Sequence, residues 1–219
     1  MNTPSHAILN LAILIAPQQP TATLAIVCGA VLPDMPMFVM YFWAKVIRRQ
    51  SEYQIWSEIY FKSFWQNFTH AFHSIPLALI SILIAHYFGW WQVEIIGMSA
   101  LLHALGDLPV HNKDAHRHFF PFSNYRFISP ISYWNPKYHG RVVSLMEKLL
   151  VLVATFYIFP LLQSWVGKGL LVVVNLVYLS GYLYVNFFRN VLLSNRISEF
   201  PLGDKASNIE LLSLTMKQH

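Results

Sequence analysis

Histidine and aspartate crowd one stretch of this chain, LLHALGDLPVHNKDAHRHFF, residues 101–120. His103 and Asp107 are four residues apart, so on a helix they share one face. They close a strongly apolar run, where an unpaired polar group is costly to bury. His111, Asp114, His116 and His118 follow, after a break at Pro109. Imidazole and carboxylate in this arrangement fit a metal site at the mouth of a membrane helix bundle. Such donors suit zinc, and also iron or manganese. A hydrolytic metal site keeps one coordination position open for water and lowers its pKa toward about 7. Ions sharing a carboxylate can clamp the attacking and leaving oxygens of a phosphoester. Asp107 is the natural bridge, and Asp34 either ligates or acts as general base.

Composition narrows the setting. The 219 residues are 55% hydrophobic and 11% charged, against about 25% charged in a soluble domain. Mean hydropathy is +0.42. An integral membrane protein of one domain is expected, with a core over 1–190 and a peripheral tail over 191–219. Cys28 is the single cysteine, so an intrachain disulfide and a cysteine-rich zinc module are both excluded. The net charge of +5 is spread along loops beside apolar segments, which fits membrane-flanking cations rather than nucleic-acid binding. No phosphate loop, nucleophile elbow or dinucleotide fingerprint is present.

The elements that must position these donors are helical. Apolar runs over 7–16 and 21–32 read as a hairpin around a Pro-Gln-Gln-Pro turn, with a helix stop at Pro33 and Pro36. That hairpin returns Asp34 to the neighbourhood of His6. The alternative is one proline-kinked spanning helix over 21–43 with Asp34 buried inside it. Residues 37–49 read as an interfacial helix and 50–68 as an aromatic headgroup-level segment. His70 and His73 stand at the entrance of a span over 74–91. Further spans are expected over 93–108, 149–166 and 169–188, with a long loop over 111–146. The fold expected is thus an all-α polytopic membrane bundle of four full spans plus an N-terminal helical hairpin.

Of the 15 lysines and arginines, only Lys168 falls in the opposite set of loops. The positive-inside rule makes the populated side cytoplasmic. The hairpin arrangement gathers His6, Asp34, His70, His73, His103, Asp107 and the loop histidines at that one face. His116, His118 and His139, with Arg117 and Arg126, suit contact with a phosphate or headgroup.

Several short motifs carry a resemblance: Pro-Ser-His near the start, GAVLPD, a histidine pair leading into an apolar helix, and LLHALGD. Together they resemble the bacterial membrane-bound metal-dependent hydrolases, proteins of the inner membrane. The order of donors is distantly similar to the zinc-dependent phospholipase C and P1 nuclease group. The resemblance covers about residues 3–140. It implies Asp34, one of His70 or His73, His103 and Asp107 around one ion, and His6 on a second ion sharing Asp107. The serine after His73 favours His73 over His70. His111 follows Asp107 by four residues where the soluble group spaces its histidine by six, and no His-x-x-x-Glu pair is present. The resemblance therefore implies one or two ions rather than three. The expected function is metal-dependent hydrolysis of a phosphoester or lipid headgroup, with membrane lipids as partners. The competing expectation is a non-catalytic membrane scaffold or a metal- or ligand-binding protein.

Overall fold

The computed structural model describes residues 1–15 and 21–185. The Pro-Gln-Gln-Pro turn and the tail from Arg189 lie outside the described residues. The chain divides into two compact units, Met1–Asn175 and Leu176–His219. Among the described residues every regular element is helical. In the second unit these are the last turns of α9 (Trp165–Leu183) and the residues just after it.

The first unit is built on α1 (Thr3–Leu14), α2 (Ala22–Val31) and α7 (Trp91–Asp107). Pro4 sits in the first turn of α1, where its missing N–H costs nothing. Asn10 of α1 donates to the Ser99 carbonyl at 2.8 Å and its hydroxyl at 2.9 Å. Ser99 in turn donates to the Ile26 carbonyl of α2 at 2.6 Å. This buried polar relay fixes the register of the three helices. At Gly29 the backbones nearly touch: an added Cβ would lie 2.3 Å from the Ile96 carbonyl oxygen. Only glycine admits so close a crossing of α2 and α7.

The helix stop expected at Pro33 and Pro36 does not occur. A 3₁₀ turn, Leu32–Asp34, carries the chain from α2 into α3 (Met35–Phe42), and a π turn extends it over Trp43–Ile47. Each proline falls in the first turn of a new segment, where no intrahelical donor is missed. The chain runs on through Asp34 as in the second arrangement expected, yet α1 and α2 also pack together as in the first, and Asp34 returns to the start of α1, where the Thr3 hydroxyl donates to it.

A short capped turn, α4 (Glu52–Gln54), and a π turn, Ile55–Ile59, lead to α5 (Ser63–Phe72). Met40 and Ala44 pack against Ile55 and Ile59 as a small separate core. Ser74 caps α6 (Ile75–Tyr87), accepting from the Leu77 N–H at 3.2 Å. The expected 74–91 span is therefore shorter, because the Ser74 cap and Gly89, at φ +68°, bound it. The long loop also ends sooner than expected, since α8 (Gly140–Ile158) begins six residues before 146. A Cβ at Gly140 would lie 2.7 Å from Asn135 backbone atoms, so a glycine is needed where α8 starts.

Among the described residues, two helical stretches are long and apolar enough to cross a membrane: Ala22–Ile47 and Trp165–Leu183. α5 and α6 pass the same test only together, across a bend of 48°.

Candidate metal centre

α7 ends at Asp107, and His103 lies one turn before it on the same face, as the spacing predicts. Both are buried, at 0% and 2% exposure. His103 donates from Nδ1 to the Ala30 carbonyl at 2.6 Å. A carbonyl only accepts, so the proton sits on Nδ1, and in the neutral ring Nε2 carries the lone pair. His73 repeats the device, with Nδ1 donating to the Thr69 carbonyl at 2.9 Å. Such an outer hydrogen bond orients an imidazole for metal.

Both Nε2 atoms are buried without a hydrogen-bond partner. They point at two carboxylates. His103 Nε2 lies 3.2 Å from Asp107 Oδ2 and 3.7 Å from Asp34 Oδ1. His73 Nε2 lies 3.6 Å from each of the same two oxygens. Donors placed tetrahedrally about 2.05 Å from one zinc ion would stand about 3.3 Å from each other. The observed spacing is close to that. Four electron-rich groups facing one another require positive charge between them, from protons on the rings or from a metal ion. Buried histidine and aspartate groups here could hold a metal ion. Three such groups occur among the described residues: His6, His103 and Asp107; Asp34, His73 and His103; and His73, Asp107 and His116.

The second oxygen of each carboxylate faces other partners. Asp107 Oδ1 receives the Met1 ammonium at 2.6 Å and lies 2.9 Å from His6 Nε2 and 3.3 Å from His111 Nε2. Asp34 Oδ2 accepts from the Thr3 hydroxyl. The imidazoles are contiguous. His6 stacks on His103 with ring centres 3.6 Å apart, and His73 stacks on His116 at 4.0 Å. Parallel rings so close disfavour charge on both members of a pair, because two cations there would repel.

The 108–139 loop closes the site. Its Ser129 N–H donates to the His111 carbonyl at 3.0 Å, and its Tyr133 N–H to the Val110 carbonyl at 3.0 Å. His111 donates from Nδ1 to Asp114 Oδ2 at 2.8 Å. Burial opposes charge on His111, but hydrogen bonds to Asp107 and Asp114 outweigh it and raise its pKa. For Asp114 burial works upward, yet the His111 hydrogen bond prevails and lowers its pKa. Burial holds His116 well below the usual histidine range and takes His118 down to about 4.

The expected residues divide by location. His6, Asp34, His73, His103, Asp107 and His111 converge. His116 was expected at a headgroup and instead lies among the donors. His70, expected as a ligand, does not join any of the three groups. The Arg117 N–H donates to its Nδ1 at 3.3 Å, and Arg126 Nη2 stands 3.4 Å from its Nε2. Both rings border His116, at 5.8 Å for His70 and 4.0 Å for His73, but the two arginines claim the His70 nitrogens. Arg117 also donates to Asn124 Oδ1 at 2.7 Å and to Asn67 Oδ1. His118 is buried at 2% exposure, with neither ring nitrogen hydrogen-bonded. His139 stays outside: it is exposed, and its left-handed backbone opens α8.

Glu147 escaped the sequence reading. It is buried at 3% on α8, and its Oε1 accepts from the Asn2 N–H at 2.9 Å, Asn2 Nδ2 at 2.9 Å and the Ser5 hydroxyl at 2.6 Å. It thereby anchors the first turn of α1, which carries His6. The available signal was a lone acid in a largely apolar helix, which, where buried, demands a partner.

No family model matches this chain, and neither a curated protein nor a solved structure does so.

Proposed function

We propose that this chain is a membrane-embedded metal-dependent hydrolase acting on a phosphoester or lipid headgroup. One observation carries the proposal: His73 and His103 are locked by backbone carbonyls with their Nε2 atoms unpaired and turned toward Asp34 and Asp107. Zinc is the favoured ion, since the donors are imidazole and carboxylate at spacings suited to tetrahedral binding. A divalent ion there would supply a water of lowered pKa and polarise a phosphoryl oxygen. His73, His103, Asp34 and Asp107 would hold it, and His6 with Asp107 would serve a second. The aromatic walls around this cluster would exclude bulk water.

In this reading the helices form a polytopic bundle in a bacterial inner membrane. The site faces the cytoplasm, as the distribution of lysine and arginine favours. The resemblance to membrane-bound metal-dependent hydrolases points the same way. The test is elemental analysis of purified protein beside His103→Ala and Asp107→Ala, followed by release of phosphate or alcohol from phosphoester substrates. Stoichiometric zinc in the parent, lost in both variants together with turnover, is the expected result. Unaltered metal content in the variants would falsify the assignment. Retained metal without turnover would favour the non-catalytic metal-binding protein.

A further inference from the structure

Asp34, His73, Asp107, His111 and His116 line a much larger cleft of about 850 Å³. Each donor group spans no more than 4.8 Å, so most of that volume lies away from any ion. Ligand clefts run from about 300 to 1,000 Å³, which places this one near the upper end. Besides the start of α1 and Thr69, its remaining walls are largely aromatic: Phe38, Trp56, Tyr60, Phe61, Tyr133 and Trp134. A site built only for a small water-soluble ester has no use for such walls. Their rim is open, with Phe38, Trp56, Phe61 and Trp134 at 43%, 43%, 64% and 58% exposure.

Phe38 belongs to Ala22–Ile47, a stretch long and apolar enough to cross a membrane. Its neighbours Val39 and Phe42 are exposed and apolar. The wall of the cleft thus continues directly into a surface suited to lipid. A cleft lined by both polar donors and exposed aromatic side chains matches a molecule with the same division.

We infer that the cleft takes a single-chain amphiphile, its oxyanion head at the His/Asp cluster and its apolar chain along Phe38, Trp56 and Phe61. The inference rests on the reading above for what the head meets; the chain's place stands on the cleft itself.

The test uses the full chain, loaded with zinc, in lipid nanodiscs. The probe is a ten-carbon alkylphosphonate bearing a diazirine at the end of its chain. After photolysis the labelled residues are mapped by mass spectrometry, and metal content is measured on the same sample. Labelling should concentrate on the segments holding Phe38 and Trp56–Phe61. It should saturate, and excess decylphosphonate should compete it away. The double variant Phe38→Gln, Phe61→Gln changes two exposed positions and should lose labelling severalfold with its zinc intact. Labelling that does not saturate and spreads over exposed apolar helices would overturn the inference, even with metal bound. Saturable labelling of the cleft in protein that holds no zinc would keep the chain's place and overturn the hydrolase reading instead.

Discussion

His103, on α7, and His73, the residue just past α5, present the same nitrogen to the same two carboxylates. Each uses Nδ1 on a backbone carbonyl and turns Nε2 inward. The carbonyls of Ala30 and Thr69 therefore select the tautomer, and no side-chain substitution on those residues can remove them. In zinc-loaded protein both rings should keep a protonated Nδ1 and an unprotonated Nε2. Histidine-selective ¹⁵N–¹H correlation spectra read this directly. A proton on Nε2 of either ring at neutral pH with zinc present would contradict the arrangement.

The neighbouring histidine separates ligation from proximity. His70 is three residues from His73 and equally buried, at 1% exposure. Its nitrogens face Arg117 and Arg126 rather than a carboxylate. His73→Asn should weaken zinc binding by more than about a hundredfold, beyond the loss typical of an outer partner. His70→Asn should leave zinc content unchanged. Equilibrium competition with a chromophoric chelator measures both. Equal losses in the two variants would mean that histidine crowding, not the geometry of His73, holds the ion.

Local spacing made part of this site legible. His103 and Asp107 are one helical turn apart, and a four-residue separation is enough to place them together. The resemblance, through the serine that follows His73, favoured that histidine over His70, and the serine does cap α6. The path of the chain through Pro33 and Pro36 was harder to see. A proline ends a helix in most contexts, but here each begins a new segment and forfeits no hydrogen bond. What sets His70 apart from His73 is Arg117 and Arg126, which reach it from a loop 47 and 56 residues away, and no local pattern encodes that. Glu147 meets Asn2 across 145 residues, a contact that no local pattern encodes.

That long-range contact makes its own prediction. Glu147 Oε1 accepts three hydrogen bonds from the first turn of α1 in a buried setting. A negative charge at a helix N-terminus is also favourable. Glu147→Ala should cost about 3 kcal/mol, because it strands buried donors. Glu147→Gln keeps an acceptor at the same place and should recover more than half of that. Thermal unfolding in a fixed detergent gives the comparison. The alanine variant should also bind zinc less tightly, since His6 rides on the released helix; the glutamine variant should rescue it. A loss of stability with fully retained affinity would make Glu147 a structural residue only.

His118 is one source of acid sensitivity in the metal-free protein. Its ring is buried at 2% exposure, with neither nitrogen hydrogen-bonded, and burial lowers its pKa from 6.5 to about 4. Above pH 6.5 the ring is neutral in both folded and unfolded chains, so it imposes no penalty. As pH falls below 6.5 the unfolded chain takes up a proton that the folded one refuses, and stability declines. The decline stops near pH 4, where the folded ring also protonates. At about 1.4 kcal/mol per pH unit the full effect comes to about 3 kcal/mol. His118→Leu removes the group without stranding a partner and should flatten that part of the profile. Denaturant unfolding of metal-free protein between pH 7 and 4 measures it. The variant should match or exceed the parent at pH 4. A parent profile flat below pH 6.5, or a variant with the same slope, would show that His118 is not refusing the proton.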